Sequence, residues 1–147
     1  MNIRFALEKD IVPIVELCQA HAAFEKVACD ATNKQELLSK YLFHSSSILK
    51  CIVVEWDTEI VGYATFMKQF STWDASFYIY LDCLFLKEKT RGMGLGTQLM
   101  RKIKEYARLE NCKVIQWQTP DFNVEAINFY HKIGGISKSK ERFFWHI

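Results

Sequence analysis

The 147-residue sequence predicts an α/β (α+β) fold, a mixed sheet with helices packed against it, and three observations carry that expectation. Segments of strand and helix period follow one another in the order β-α-α-β-β-β-α-β-α-β. The middle of the chain holds three β-branched and aromatic runs separated by short turns, which reads as antiparallel hairpins. From about Asp82 to Thr119 a strand-helix-strand crossover replaces the hairpins, and clefts open at strand carboxyl ends near such reversals.

Each element has its own signal. "NIRFAL" alternates apolar and polar residues and predicts the first strand. Asp10 stands where an N-cap belongs, and "IVPIVELCQAHAAF" repeats apolar residues at helical spacing through Ile11, Ile14, Val15, Cys18 and Ala22. Pro13 falls in the first turn, where a missing amide donor costs little. "NKQELLSKYLF" predicts a shorter helix capped by Asn33. "ILKCIVVEW", "EIVGYATFMKQF" and "SFYIYLDCLFL" predict strands, joined by a turn at Asp57 to Glu59 and by "STWDA". In "GTQLMRKIKEYARLEN" a stripe of Leu95, Leu99, Ile103 and Tyr106 opposes the water-facing Arg101, Lys102, Lys104 and Glu105. "CKVIQWQT" predicts another buried strand, "NVEAINFYHKIG" a helix with Asn123 at its cap and Gly134 at its end, and "RFFWHI" a closing strand.

Length and composition fit one domain, residues 1–147, with 50% hydrophobic residues to build a core. The apolar runs are too short to cross a bilayer and no charged-then-apolar leader opens the chain, so neither membrane insertion nor export is expected. Five scattered cysteines (Cys18, Cys29, Cys51, Cys83 and Cys112) argue against a disulfide framework and for the reducing cytoplasm. The four histidines are scattered too, and no metal site is expected. A net charge of +2 does not point to nucleic acid.

"KTRGMGLGTQLM", Lys89 to Met100, carries three glycines yet runs into a well-patterned helix. A glycine turn between strand and helix leaves amide donors unpaired, and these, with the helix dipole, attract anions. Glycine lets phosphate oxygens approach without meeting a Cβ, and Arg91 with its lysine neighbours adds formal charge. A tight turn that needs glycine only for its dihedrals is the alternative. The nucleotide-binding Gly-Lys-Ser/Thr ending is missing, and Thr97 stands where the dinucleotide fingerprint needs its third glycine.

"RGMGLG", Arg91 to Gly96, resembles the Arg-x-x-Gly-x-Gly signature of the GNAT superfamily, the acetyl-CoA-dependent N-acetyltransferases. "NVEAINFYHKIGG" is similar to the superfamily's second signature, and the element order looks like its fold. The resemblance implies about seven mixed strands with helices on both faces. It implies that the turn formed by Gly92, Met93, Gly94, Leu95, Gly96 and Thr97 holds the pyrophosphate of coenzyme A. Arg91 and Asn123 would assist, and the strand at Cys83, Leu84 and Phe85 would pair with the pantetheine arm. Two strands, Ile79 to Leu86 and Val114 to Gln118, would splay to admit it.

Transfer of acetyl to an amine sets two proton problems: the ammonium must lose a proton, and the departing thiolate is stabilised by gaining one. By resemblance Tyr130, in the "FY" position, is the acid beside the sulfur; an amphipathic packing residue is the alternative. Asp82 interrupts an apolar strand and is the candidate base, acting through a water, unless it simply faces solvent at a strand edge. Among superfamily members the chain looks most like diamine acetyltransferases of the spermidine/spermine type. That likeness would bring Glu25, Trp73, Asp74, Asp82 and Trp145 to an acceptor pocket, where carboxylates and aromatic walls suit a polycation. Otherwise Glu25 is a solvated helix end and the tryptophans pack. The group's two adjacent acids are here Asp82 followed by Cys83, which removes one negative charge. Acetylation of a small-molecule primary amine by direct attack is thus the leading expectation. The alternatives are a protein lysine or N-terminal amine acetyltransferase and a non-catalytic acyl-CoA-binding module. The apolar C-terminus at Phe143, Phe144 and Trp145 suggests a homodimer.

Overall fold

A computed structural model describes residues Met1–Ile147. Strand β1 (Asn2–Phe5) leads through a short 3-10 turn into helix α1 (Ile11–Phe24), which is followed by α2 (Lys34–Phe43). Three strands follow, β2 (Leu49–Trp56), β3 (Glu59–Ser71) and β4 (Ser76–Leu86). A second 3-10 turn, Glu88–Thr90, precedes α3 (Leu95–Leu109), and β5 (Ile115–Gln116) and α4 (Val124–Lys132) complete the regular structure. The sheet has the order β1-β2-β3-β4-β5, with β4 and β5 its parallel pair.

The expected seven strands are corrected to five. "CKVIQWQT" forms only the two-residue β5, and "RFFWHI" forms no strand: Phe143 is 90% and Trp145 95% exposed, with no main-chain partner along the tail. An apolar alternation becomes a strand only where an edge receives it, and this tail reaches none in its own chain.

The sheet is covered on both faces, as the resemblance implied, so the layers number three. On one face α3 sets Leu95, Leu99 and Ile103 against Ile52, Val54, Ala64 and Phe66, and Tyr130 and Phe129 of α4 pack beside them. On the other, Ile14 and Leu17 of α1 and Leu42 of α2 cover Cys51, Val53 and Tyr63. The continuous run Cys51 to Val54 is therefore buried throughout, as expected of a strand with cores on both sides.

Local chemistry departs from expectation at the first two helix starts. Asp10 does not cap α1 with its side chain; its carboxylate accepts the Leu7 amide at 2.8 Å and two Arg4 bonds at 2.6 and 3.0 Å. Asn33 precedes α2 in the left-handed region (φ 56°) and makes no side-chain cap bond. Asn123 does cap α4, accepting from the Ala126 amide at 3.2 Å. The β2–β3 turn uses Asp57 and Thr58, both at positive φ, as a two-residue hairpin of this hand requires. Gly134 (φ 93°) ends α4, with its amide on His131 and the Gly135 amide on Tyr130, a Schellman closure.

Candidate active site

The three glycines before α3 divide by purpose. Gly92 (φ 75°) and Gly94 (φ 76°) are left-handed, and a Cβ built on either would meet nothing within 4 Å. No packing inside the chain demands glycine there; the left-handed backbone favours it, and the space above stands open. Gly96 is different, since a Cβ on it would lie 3.0 Å from Phe129 Cζ. It lets α4 approach α3, so its glycine is not explained by an incoming phosphate. The amides of Gly92 to Thr97 donate to no acceptor of the chain, and the first helical bond is Gln98 to the Gly94 carbonyl at 3.1 Å. Six free donors at the positive end of a 15-residue helix are a site for an anion.

The basic residues nearby are engaged elsewhere. Lys87 and Lys89 reach Glu59 on β3 at 2.6 and 2.7 Å, which holds that carboxyl down to about 2. Arg91 folds away from the turn, its guanidinium 4.6 Å from the Phe24 ring and its Nε donating to the Leu86 carbonyl at 3.2 Å. Main-chain amides, more than side-chain charge, make this end of the site.

β4 and β5 pair only at Ile79 with Ile115 and Tyr80 with Gln116, so β4 from Leu81 onward leaves its neighbour, as the splayed strands were expected to do. A β-bulge there has no local sequence signal. Thr65 pairs with Cys83 and Phe66 with Leu81, leaving Asp82 as the extra residue. The bulge reverses the facing of β4: Ile79 and Leu81 enter the α3 core before it, while afterwards Leu84 and Leu86 face α3 and Cys83 and Phe85 face α1. Asp82 is exposed and receives a long 3.5 Å bond from Thr65 Oγ1. Burial, then Asp82, pushes the Cys83 thiol up to about 12, so it stays protonated at neutral pH. Tyr130 lies on the α4 side of the gap, its ring 5.0 Å from Trp117 and 5.1 Å from Phe129. Burial, then the Glu25 charge and the nearby Cys83, pushes its phenol up to about 12.

The last turn of α1 closes a third side. Phe24 lies under Arg91 and 6.4 Å from Phe85, Glu25 perturbs Tyr130, and Lys26 stands 5.3 Å over Phe122 ahead of α4. Glu25 thereby lies within electrostatic reach of Tyr130, as Cys83 does. Trp73, Asp74 and Trp145 are not brought together with these residues. Trp73 is 98% exposed at the tip of the β3–β4 hairpin, where Asp74 bonds to Ser71 at 2.8 Å. Asp82 is eight positions along the chain, a strand length of roughly 25 Å. The hairpin outruns β2, whose pairing with β3 stops at Met67, so its tip projects beyond the body. Trp145 sits in the unpaired tail. Two residues of the α1 face went unread in the sequence: His21 and Tyr63. The i,i+4 spacing of His21 and Glu25 was a usable signal; nothing local announced Tyr63.

Comparison with known proteins agrees with this geometry. The profile of the Acetyltransferase (GNAT) family matches residues 15–135. A thialysine N-epsilon-acetyltransferase of Mus musculus is 28% identical over 141 residues, covering 90% of this chain and 82% of that protein. A spermidine/spermine N(1)-acetyltransferase-like protein of Homo sapiens is 22% identical, over 99% of this chain and 22% of its own length. The fold matches an aminoglycoside acetyltransferase from an uncultured soil metagenomic sample, solved with sisomicin, at a TM-score of 0.80, 16% identity, and coverage of 99% of this chain and 95% of that one. With the family profile spanning the glycine turn, the parted strands and the helix that carries Tyr130, this chain belongs to the GNAT acetyltransferases and is an acetyl-transferring enzyme.

Proposed function

We propose that the chain moves acetyl from acetyl-CoA to a primary amine of a small, diamine- or polyamine-like molecule by direct attack. The observation that carries this is the run of unclaimed amides from Gly92 to Thr97, open to solvent and next to the unpaired half of β4. The fit to a diphosphate is physical: two left-handed glycines leave the space where side chains would otherwise stand. Gly92, Met93, Gly94, Leu95, Gly96 and Thr97 would hold that group through their main chain. Arg91 and Asn123 support the loops on either side, and Cys83, Leu84 and Phe85 offer strand edge to the pantetheine arm. Acetyl-CoA, when bound, supplies an activated acyl carbon and a thiolate leaving group.

The chain's own groups then divide the work. Asp82 and Glu25 attract the acceptor ammonium and take its proton, Asp82 through water. Tyr130 donates a hydrogen bond toward the sulfur. With the phenol at about 12 and a free thiol near 8.5, full proton transfer to the thiolate would be uphill by about 5 kcal/mol. Stabilisation by the O–H dipole is therefore the role its chemistry supports. Cys83 stays protonated, which leaves no thiolate for an acyl-enzyme.

Small-molecule amines are favoured because the similar proteins are named for thialysine and for spermidine/spermine. A homodimer would cover the exposed tail at Phe143, Phe144 and Trp145 and could bring Trp73, Asp74 and Trp145 of one copy toward the site of another. Five free cysteines fit a cytoplasmic location. Thiol release from acetyl-CoA against a panel of amines tests the reading; tight coenzyme binding with no release under any amine would overturn it in favour of a binding module.

A further inference from the structure

His21 lies one helical turn before Glu25, with its side chain only 14% exposed. Its ring stacks on Phe85, centroids 5.2 Å apart and planes at 25°. Nε2 is 3.2 Å from Glu25 Oε1, and Nδ1 is 3.2 Å from the Tyr63 hydroxyl. Tyr63 is 1% exposed, so its phenolic proton must find an acceptor inside the protein. Burial raises its pKa far above the usual phenol range, which keeps that proton in place. Tyr63 donating to Nδ1, with the Cys18 and Cys83 thiols as its other neighbours, leaves Nε2–H to donate to Glu25.

The chain Tyr63–His21–Glu25 therefore runs from the buried sheet to the mouth of the site. Only Oε1 of Glu25 is bonded within the chain, and the residues on either side are pinned by Arg91 and Phe122. We propose that His21 is a positioning residue for the amine acceptor: backed by Tyr63, it locks Glu25 so that the free carboxylate oxygen meets the acceptor's ammonium group beside Tyr130. The inference rests on the amine-acetylation reading above.

The test is steady-state kinetics with acetyl-CoA and a short diamine, on the wild type, His21→Ala, His21→Gln, Tyr63→Phe, Glu25→Gln and the His21→Ala/Glu25→Gln double variant. His21→Ala is expected to raise the diamine KM about tenfold, to change kcat less than about threefold, and to leave the acetyl-CoA KM unaltered. His21→Gln, whose amide can still donate to Glu25, should recover most of the loss, and Tyr63→Phe should show a smaller rise of about threefold. The double variant should be no worse than Glu25→Gln alone, since His21 acts through that carboxylate. An unchanged diamine KM in His21→Ala, a Gln variant as poor as Ala, or losses that multiply in the double variant would each overturn the assignment. If His21→Ala does not fold, the Gln variant, Tyr63→Phe and Glu25→Gln decide it by the same comparison. A wild type that acetylates no amine overturns the enzyme reading itself, whereas a wild type that turns over with a diamine KM indifferent to His21 and Tyr63 overturns this inference alone.

Discussion

The two ends of the site are built from different materials. The proposed coenzyme end is main chain: six amides in one short turn, two of whose residues are glycines at positive φ with open space above them. The proposed acceptor end is side chain, assembled from the last turn of α1, the β4 bulge and α4, with β3 behind them. A main-chain site is contiguous in sequence and tolerates change at every side chain except glycine. A side-chain site depends on how four elements meet, and its charges can be drawn from any of them.

That contrast can be broken experimentally, and the largest effect is expected at the main-chain end. Gly94→Val puts a branched residue at φ 76°, costing about 1–2 kcal/mol for the hand alone, and places it in the anion's path. Coenzyme affinity by calorimetry should fall at least about 100-fold; an unchanged affinity would remove the cradle. Tyr130→Phe comes next. It should lower kcat about 10- to 100-fold with coenzyme affinity nearly intact, and equal losses in both would contradict a role at the sulfur. Asp82→Asn should reduce kcat/KM for the amine about tenfold without touching the coenzyme, which places the bulge at the acceptor end.

Gly96→Ala sharpens the comparison from inside the same turn. Its Cβ would press on Phe129 at 3.0 Å, so about 1 kcal/mol of stability should be lost in urea unfolding while coenzyme affinity holds. Affinity falling as it does for Gly94→Val would mean that all three glycines serve the anion. The smallest effect concerns Glu59, tied to Lys87 and then Lys89. A depressed carboxyl pKa stabilises the fold above the unfolded value of about 4.3 and loses that contribution as pH falls further. For Glu59 the window closes at about 2. A carbon-13 titration of its carboxyl should show this low midpoint, and the double variant Lys87→Met/Lys89→Met should bring it back toward the ordinary range.

Much of the scaffold was readable in advance because its signals are local. The stripe of α3 follows from helical period, and Leu95, Leu99 and Ile103 are buried as expected. The cap at Asn123 and the stop at Gly134 follow from donors and dihedrals within one turn. The glycine turn was legible for the same reason, although the missing side chain at Gly96 makes room for Phe129. The β4 bulge was not legible. Strict alternation through "SFYIYLDCLFL" keeps one facing throughout, and the reversal exists only because Thr65 and Phe66 of β3 accept three residues where two would pair. Arg91 was expected to add charge for a phosphate; its guanidinium lies over Phe24, 67 positions earlier in the chain, a contact no local pattern announces.

What the amino-acid order determined alone is the set of elements through α4, the free donors ahead of α3 and the residue types available for proton transfer. Each depends on neighbours a few positions apart, so backbone stereochemistry and periodicity suffice. Only the tertiary structure decided which face each half of β4 presents, that Lys87 and Lys89 belong to Glu59, that Trp73 and Asp74 stand away from Tyr130, and that His21 holds Glu25. Those outcomes hang on contacts between residues distant in sequence, where a single bulge or a stacked guanidinium redirects a side chain without leaving a local trace.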